Sequence, residues 1–200
     1  MKKLKTPALL LLAACLFLTG CSSKWSPGGN TISSDGVITF YNGVTINQPC
    51  QINEKQERES VVFDGRECVR SVYQCQTDTH TFSVMQISCE GAFSDVTATQ
   101  TTEDFSANLQ GFADGIAASF HASLPDAVIS APEVDVDEQT SQDGEVFKSS
   151  LWRYTISYSN VDFVVYIRLV VSNNDIISVT CFDSPGKTFA SELMDKVTIA

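Results

Sequence analysis

The side chains best suited to chemistry in this chain of 200 residues are those of its cysteines. Five of them lie beyond the N-terminal region, namely Cys50, Cys68, Cys75, Cys89 and Cys181. Their spacing contains no Cys-x-x-Cys pair and matches no zinc pattern, so it indicates neither a redox motif nor a structural zinc site. In an exported protein, disulfides are the leading interpretation, and an odd number leaves at least one cysteine without a partner in the chain. In a cell that lives without oxygen, all five could be free thiols.

One pair of cysteines falls on a predicted β-hairpin. Two β-rich segments, 67–76 and 81–89, flank the polar residues 77–80. A four-residue turn at this place sets Cys68 opposite Cys89, whereas a three-residue turn shifts the register by one position. The sequence therefore predicts a Cys68–Cys89 disulfide on condition that the turn has four residues.

Other catalytic or metal-binding arrangements are not indicated. His80 and His121 are the only histidines, and neither has a His, Cys or Glu partner four residues away. The chain has no Gly-x-Ser-x-Gly nucleophile motif and no glycine-rich phosphate loop. Acidic residues are densest at Glu133, Asp135, Asp137, Glu138 and Asp143. A calcium site and the solvated face of a strand both explain this density, but EF-hand spacing is missing. We therefore predict no catalytic residue, no cofactor and no metal ion.

The N-terminus has the pattern of an export signal. Three lysines within the first five residues precede an apolar run over residues 8–18, too short for the ~20 residues of a spanning helix. The run ends in Leu18-Thr19-Gly20-Cys21, which resembles the lipobox of bacterial lipoproteins. The resemblance implies removal of residues 1–20 and a diacylglycerol thioether on Cys21. Several acyl chains would hold the protein at the extracytoplasmic face of the cell membrane. An ordinary signal peptide with a coincidental cysteine is the alternative.

Composition limits the remaining possibilities. A hydrophobic content of 43% with 18% charged residues excludes a disordered chain, and no run long enough to span a membrane is present. The formal net charge of −11 becomes more negative when the signal lysines are removed. A surface of this sign repels phosphate backbones, so we expect no nucleic acid as a partner. Residues 21–31 are predicted to be the lipidated cysteine and a flexible tether, and residues 32–200 a single domain.

The first half of this domain is predicted to contain short strands and one long helix. Asn42-Gly43 is typical of a turn between two short strands. The polar stretch 51–60 is predicted to be an exposed loop. Residues 103–124 have the periodicity of one amphipathic helix, with Thr102 as its cap. Its apolar stripe consists of Phe105, Leu109, Phe112, Ile116 and Phe120.

The second half is predicted to contain antiparallel strands joined by short turns. Segment 127–137 alternates valines with acids, which is typical of an edge strand with an acidic outer face. Segment 163–171 is apolar at nearly every position except Arg168, as in a strand buried on both faces. A structural ion pair is the favoured role for Arg168, and binding of a ligand anion is the alternative. Cys181 shares its parity with neighbouring apolar residues, which indicates a buried thiol.

The order of elements over residues 103–199 resembles the PsbP-like fold. A helix is followed by an edge strand, the turn Asp143-Gly144, an aromatic strand around Trp152, two further strands and a closing helix. The closing helix carries the spacing Phe189, Leu193 and Val197, and the segment 41–49 resembles the opening strand of that fold. The resemblance implies an α+β fold, an antiparallel β-sheet flanked by helices on both faces (an α/β/α sandwich), and no shared catalytic residues.

These features together favour a non-enzymatic binding or accessory role for a lipid-anchored protein outside the cytoplasm. Its expected partners are the membrane, through the lipid on Cys21, and an envelope protein or a small ligand. The alternative is a cell-envelope enzyme, either a hydrolase or a thiol oxidoreductase, that uses the acidic strand or the cysteines.

Overall fold

The computed structural model describes residues 28–63, 65–98, 101–140 and 145–199. The predicted signal and Cys21, most of the predicted tether, and the predicted turn Asp143-Gly144 lie outside these residues, as do the side chains of Phe112 and Ile116. In the part of the chain that is described, β-strands dominate and form two antiparallel sheets.

The elements follow one another along the chain with short connections. In chain order they are β1 (Thr31–Ile32), β2 (Ile38–Thr39), β3 (Val44–Ile46), β4 (Gln51–Phe63), β5 (Arg66–Gln76), β6 (Thr81–Ser88), α1 (Ser94–Thr97), α2 (Thr102–Asn108), α3 (Gln110–Ser123), β7 (Val128–Ile129), β8 (Glu133–Thr140), β9 (Val146–Tyr158), β10 (Val161–Val171), β11 (Asp175–Asp183), α4 (Phe189–Met194) and β12 (Val197–Ile199).

The large sheet has the strand order β4-β5-β6-β11-β10-β9, and both β7 and β8 pair with the outer edge of β9. The small sheet has the order β1-β2-β3-β12. Strands β9, β10 and β11 are consecutive antiparallel neighbours, so the predicted run of strands with short turns is confirmed. Ser159 and Asn160 join β9 to β10 with φ angles of 51° and 62°, the pair of left-handed residues that a tight hairpin turn requires.

Both faces of the large sheet are buried, and each face has a different cover. One face packs against the first three helices, where Phe105 and Phe120 lie in one core with Trp152 and Ile167. The opposite face packs against the small sheet and α4. Its core includes Phe40, Ile46, Val84, Ile177 and Leu193. Because successive strand residues point to opposite faces, each central strand supplies both cores.

The prediction of helices on both faces of one sheet is wrong. Helices cover one face, whereas the small sheet covers most of the other, so the molecule is a mostly β, sandwich-like fold rather than an α/β/α sandwich. The predicted closing helix ends at Met194, and Val197 instead starts β12 opposite Ile46. The spacing that suggested a helix is compatible with a strand after a tight turn, and β3 offers an edge to which β12 forms its hydrogen bonds.

Residues 51–60 are not a loop but most of strand β4. They form the outer strand of the large sheet, paired with β5 and largely exposed. A strand exposed in this way needs no apolar alternation, and its hydrogen bonds to β5 define it instead. The register slips between Gln56 and Glu59, where Arg58 adopts a φ of 58°, so the strand contains a β-bulge.

The predicted single helix over residues 103–124 is divided at Leu109 into α2 and α3. Its N-cap is Thr101 rather than Thr102, because the Thr101 hydroxyl accepts a hydrogen bond from the backbone N–H of Asp104 at 3.1 Å. The predicted edge strand 127–137 is also interrupted, between β7 and β8. Glu133, Asp135 and Asp137 of β8 face solvent as predicted, but Val128 in β7 is 70% exposed rather than buried.

A four-residue turn joins β5 to β6, since Gln76 pairs with Thr81. This register places Cys68 opposite Cys89, and the structure contains a disulfide between them with Cα atoms 4.7 Å apart. Both cysteines lie in the core on the helix side of the sheet. The bond therefore joins the two strands at the open end of the hairpin, opposite the turn, in the core to which Val96 of α1 also belongs.

We expect replacement of both cysteines, Cys68→Ala with Cys89→Ala, to lower the free energy of unfolding by about 3 kcal/mol. The bond closes a loop with a sequence separation of 21 residues, and its loss frees the unfolded chain. Urea unfolding followed by tryptophan fluorescence measures the change. Cys181→Ala is the control, because it removes a buried sulfur without breaking a crosslink. An equal loss in both proteins would show that packing, and not the crosslink, is responsible.

Candidate functional site

A polar cavity of about 70 Å³ lies where residues 28–30 meet strands β4, β5 and β6. Its walls include Gly29, Asn30, Glu57, Ser71, Gln86 and Ser88. Among the described residues that line the cavity, Val69 alone has an apolar side chain, and Gly28 and Gly29 have none. This composition differs from that of the apolar cores on either side of the large sheet, and we take the cavity as the candidate functional site.

The alternation of side chains along the strands explains why polar groups collect here. On the face toward the small sheet, β6 presents Phe82 and Val84 first and then Gln86 and Ser88. On β11 the same face presents Asp175 before the apolar residues that follow it. Antiparallel pairing sets Asp175 directly opposite Ser88, so the polar ends of both strands coincide. The bulge in β4 completes the wall, because the Arg58 N–H donates to the Ser71 hydroxyl at 3.3 Å.

Asp175 is the centre of a buried hydrogen-bond network behind the cavity. Its side chain is 1% exposed and accepts hydrogen bonds at both carboxylate oxygens. Asp175 Oδ1 accepts from Gln86 Nε2 at 2.9 Å and from the Ser88 hydroxyl. Asp175 Oδ2 accepts from the Tyr41 hydroxyl at 2.7 Å, from Asn42 Nδ2 at 3.2 Å and from the Ser172 hydroxyl at 3.4 Å. Donors from the loop between β2 and β3 and from the large sheet therefore meet on one carboxylate.

Burial determines the protonation behaviour of this network. It raises the pKa of Asp175 above its ordinary value, and the hydrogen bonds from Ser88, Tyr41 and their neighbours oppose that rise. Burial and the Asp175 charge raise the pKa of Tyr41, so its hydroxyl remains a donor. The same two causes raise the pKa of the Glu145 carboxyl.

Asn30 connects the buried network to the cavity wall. Its Nδ2 donates to Gln86 Oε1 at 2.8 Å and to the Tyr73 hydroxyl at 3.1 Å, and its Oδ1 accepts from the Tyr41 N–H at 3.3 Å. The Tyr73 hydroxyl in turn donates to Glu57 Oε1 at 2.9 Å. Burial raises the pKa of Tyr73 to about 12. Asn30 thus fixes the N-terminal segment against the sheet.

The arrangement suits binding rather than proton transfer. Both oxygens of Asp175 are already engaged by donors from the chain itself, which makes this carboxylate an internal anchor. At the cavity wall, the Glu57 carboxylate accepts from the Tyr73 hydroxyl and pairs with Lys55, and the Ser71 hydroxyl accepts from the Arg58 N–H. Their remaining lone pairs and the Ser71 O–H can hydrogen-bond a small polar group. Within the described residues, no group of three or more His, Cys, Asp or Glu side chains is placed to hold a metal ion.

The histidines considered in the sequence analysis lie on different elements, and Asp143 lies outside the described residues. His80 stacks on Phe189 with ring centroids 4.3 Å apart, and His121 is exposed near the end of α3. Glu133 on β8 pairs with Arg153, and Asp135 is solvent-exposed. Strand β8 and the β4–β6 region lie at opposite edges of the large sheet. The structure therefore does not bring the acidic strand together with the cysteines of β5 and β6.

Arg168 does not form the predicted ion pair among the described residues. Its Nη1 donates to the Ser149 hydroxyl at 3.2 Å, while its Nε has no hydrogen-bond partner in the described part of the chain. Burial lowers the pKa of the guanidinium, and the charges of Asp195, Asp137 and Asp135 oppose this effect. Cys181 is buried as predicted, and burial raises the pKa of its thiol to about 12.

Sequence reasoning missed the Asp175 network. Asp175 follows Asn173-Asn174, and a run of three such residues is typical of a turn. The available signal was the change from apolar to polar residues at Gln86 and Ser88, on one face of an otherwise apolar strand. Two further donors, Tyr41 and Asn42, lie 134 and 133 positions earlier in the chain, and no local pattern connects them to Asp175.

Comparison with models of known protein families gives no match, and comparison with curated proteins gives no similar sequence. In the described residues, no helix has the length and apolar character needed to cross a bilayer. Assignment of a function to this chain therefore depends on its own residues and their geometry.

Replacement of the buried carboxylate, Asp175→Asn, is expected to lower the free energy of unfolding by about 3 kcal/mol near neutral pH. The amide offers a single acceptor oxygen to several donors, and its own N–H₂ group opposes the rest. Chemical unfolding measures the change, and Asp126→Asn, at an exposed carboxylate, is the control. Equal stability of both variants would contradict a structural role for the network.

Comparison of the wild-type protein with the Asp175→Asn variant at different pH values tests the direction of the Asp175 pKa shift. Because the folded-state pKa lies above 3.8, protonation stabilises the wild-type fold, and this contribution is lost as the pH rises through the folded pKa. The Asp175→Asn variant has no carboxyl at this position, so its stability lacks this pH-dependent contribution. We therefore expect the stability gap between wild type and variant to narrow from about pH 4 to about pH 7. A gap that widens over this range would show that the pKa is lowered.

Proposed function

We propose that this protein is a bacterial lipoprotein, anchored through Cys21 at the extracytoplasmic face of the cell membrane, whose β-rich domain has a non-enzymatic binding or accessory role. The observation that carries the extracytoplasmic part is the Cys68–Cys89 disulfide. Structural disulfides form and persist outside the cytoplasm, where thiols are not kept reduced. The lipobox-like segment Leu18-Thr19-Gly20-Cys21 supports the same location.

The short segment between Cys21 and Gly28 supports a location of the cavity close to the membrane. Seven Cα–Cα steps separate Cys21 from Gly28, and an extended chain spans at most about 25 Å over that distance. Gly28 is itself part of the cavity wall. A group bound in the cavity would then lie within a few nanometres of the lipid. This proximity favours a partner that is itself in or near the envelope membrane.

The size and lining of the cavity support recognition of a small polar group. A volume of about 70 Å³ corresponds to roughly two water molecules of liquid volume, or to one polar side chain. The lining includes charged residues of both signs, Glu57 and Arg58, and the hydroxyl of Ser71 adds hydrogen-bonding capacity. We propose that an envelope protein inserts a polar side chain here, or that a small polar ligand binds. The acidic net charge disfavours a nucleic-acid partner, because the protein surface repels the phosphate backbone.

Anchoring is tested by metabolic labelling with a palmitate analogue. We expect Cys21→Ala to abolish labelling and to release the protein from the membrane fraction, because the acyl chains would have no sulfur to bind. Cys15→Ala is the matched control, since this cysteine lies within the proposed signal and should leave labelling unchanged. Undiminished labelling of the Cys21 variant would refute the anchor.

Binding at the cavity is tested by adding one side chain to its wall. A Cβ at Gly29 meets no atom within 4 Å, so Gly29→Leu is expected to occupy the opening without strain. Proteins and ligands crosslinked to the lipoprotein in living cells are then quantified by mass spectrometry. We expect at least one species to fall about tenfold, the equivalent of 1.4 kcal/mol of lost binding.

Gly115→Leu is the control for this experiment, because it adds the same side chain at another open glycine, on α3. A set of crosslinked species that is identical in wild type and both variants would exclude the cavity as the binding site. A species reduced equally by both substitutions would point to a general loss of folding instead.

A further inference from the structure

Cys50 and Cys75 lie together in the core between the two sheets. Cys50 immediately precedes β4, and the register of β4 with β5 pairs Ile52 with Cys75 and Gln51 with Gln76. Cys50 and Cys75 therefore lie on the same face of adjacent strands. Both side chains belong to the core between the sheets, where Cys75 is fully buried and Cys50 is half-buried.

We propose that Cys50 and Cys75 are an oxidation site that forms a second disulfide in the exported protein. This inference rests on the proposed extracytoplasmic location, where an oxidant is present. It also resolves the odd number of cysteines, because the two disulfides leave only Cys181 as a thiol once Cys21 carries lipid. Cys181 is buried and separate from the pair, and its Sγ donates to backbone oxygens.

The two thiols are chemically unequal. The hydrogen bond from Cys75 lowers the pKa of Cys50, whereas the same hydrogen bond, together with burial, raises the pKa of Cys75. Cys50 is also the more accessible of the two. Because the thiolate is the nucleophile in disulfide exchange, Cys50 is the cysteine that reacts first.

The oxidant is a disulfide, either of a thiol oxidoreductase or of a small molecule. The Cys50 thiolate attacks one of its sulfurs, a mixed disulfide forms, and the other sulfur leaves as a thiolate. Cys75 then loses its proton and attacks Cys50 Sγ, which releases the second sulfur of the oxidant. The two cysteines have given up two electrons and two protons, and the oxidant is reduced to two thiols.

The new bond would join the segment that leads from the small sheet into β4 to the neighbouring strand β5. The Cys50 N–H donates to the Asp35 carbonyl at 3.1 Å, and its thiol donates to the Gly36 carbonyl at 3.4 Å. Gly36 has a φ of 86°, and a Cβ there would lie 1.8 Å from the Cys50 carbonyl oxygen, so only glycine fits. The turn at residues 33–36 therefore already packs on Cys50. A bond to Cys75 would tie Cys50, the residue that this turn contacts, to β5.

The test is a thiol count on the full lipoprotein purified from membranes without reductant. The protein is denatured in an alkylating reagent, digested with trypsin and chymotrypsin, and analysed by mass spectrometry before and after reduction. Cleavage after Arg70 and after Phe82 separates Cys68, Cys75 and Cys89, so the bridges are distinguished. We expect one alkylated thiol, on Cys181, and a linked Cys50–Cys75 peptide pair.

The Cys68–Cys89 bond separates the possible failures. Three alkylated thiols, with Cys68 and Cys89 still linked, would overturn the second disulfide and leave the proposed location intact. Five alkylated thiols would overturn both the inference and the extracytoplasmic proposal. A link from Cys50 to Cys181 would also overturn the inference. In a Cys50→Ala variant the alkylated thiols should rise from one to two, with Cys75 as the new one.

Discussion

The large sheet buries both of its faces, and the rest of the structure follows from that constraint. Strand residues alternate between the two faces, so that Ile176 and Ile177, adjacent in β11, lie in different cores. Neither face can be left to water without exposing a continuous apolar surface. The chain covers one face with its helices and the other with the small sheet, and these covers come from different parts of the sequence.

The edges of the large sheet impose a second constraint, because unpaired strand edges promote association with other chains. At one edge, the middle of β4 is charged, at Glu54, Lys55, Glu57, Arg58 and Glu59, and the strand is interrupted by the bulge at Arg58. At the other edge, the connection between β7 and β8 contains Pro132, and β8 presents Glu133, Asp135 and Asp137 to solvent. The acidic density of this segment therefore has a structural explanation as the protected edge of a β-sheet.

How much of this arrangement the sequence predicts depends on how local each signal is. Strands β5, β6, β10 and β11 follow from alternating or continuous apolar residues between turn residues, and the length of the turn before Thr81 decides the cysteine register. Strand β4 has no such pattern, because it is exposed and defined by its pairing. The strands of the small sheet contain two or three residues each, too few to show a period. The site was not predictable, because its central carboxylate at Asp175 meets partners that are distant in the chain.

The Asp175 carboxylate explains how the small sheet and the large sheet are held in one relative position. Apolar packing between the small and large sheets is tolerant of sliding, whereas a buried carboxylate must find all of its donors at once. Tyr41 and Asn42 from the small-sheet region and Gln86 and Ser88 from the large sheet satisfy Asp175 only in one register. Asn30 extends the same network to the segment that enters the domain. The hydrogen-bond network of Asp175 therefore specifies how the two sheets align. Because the cavity is lined by residues of the same network, its walls are held in place as well.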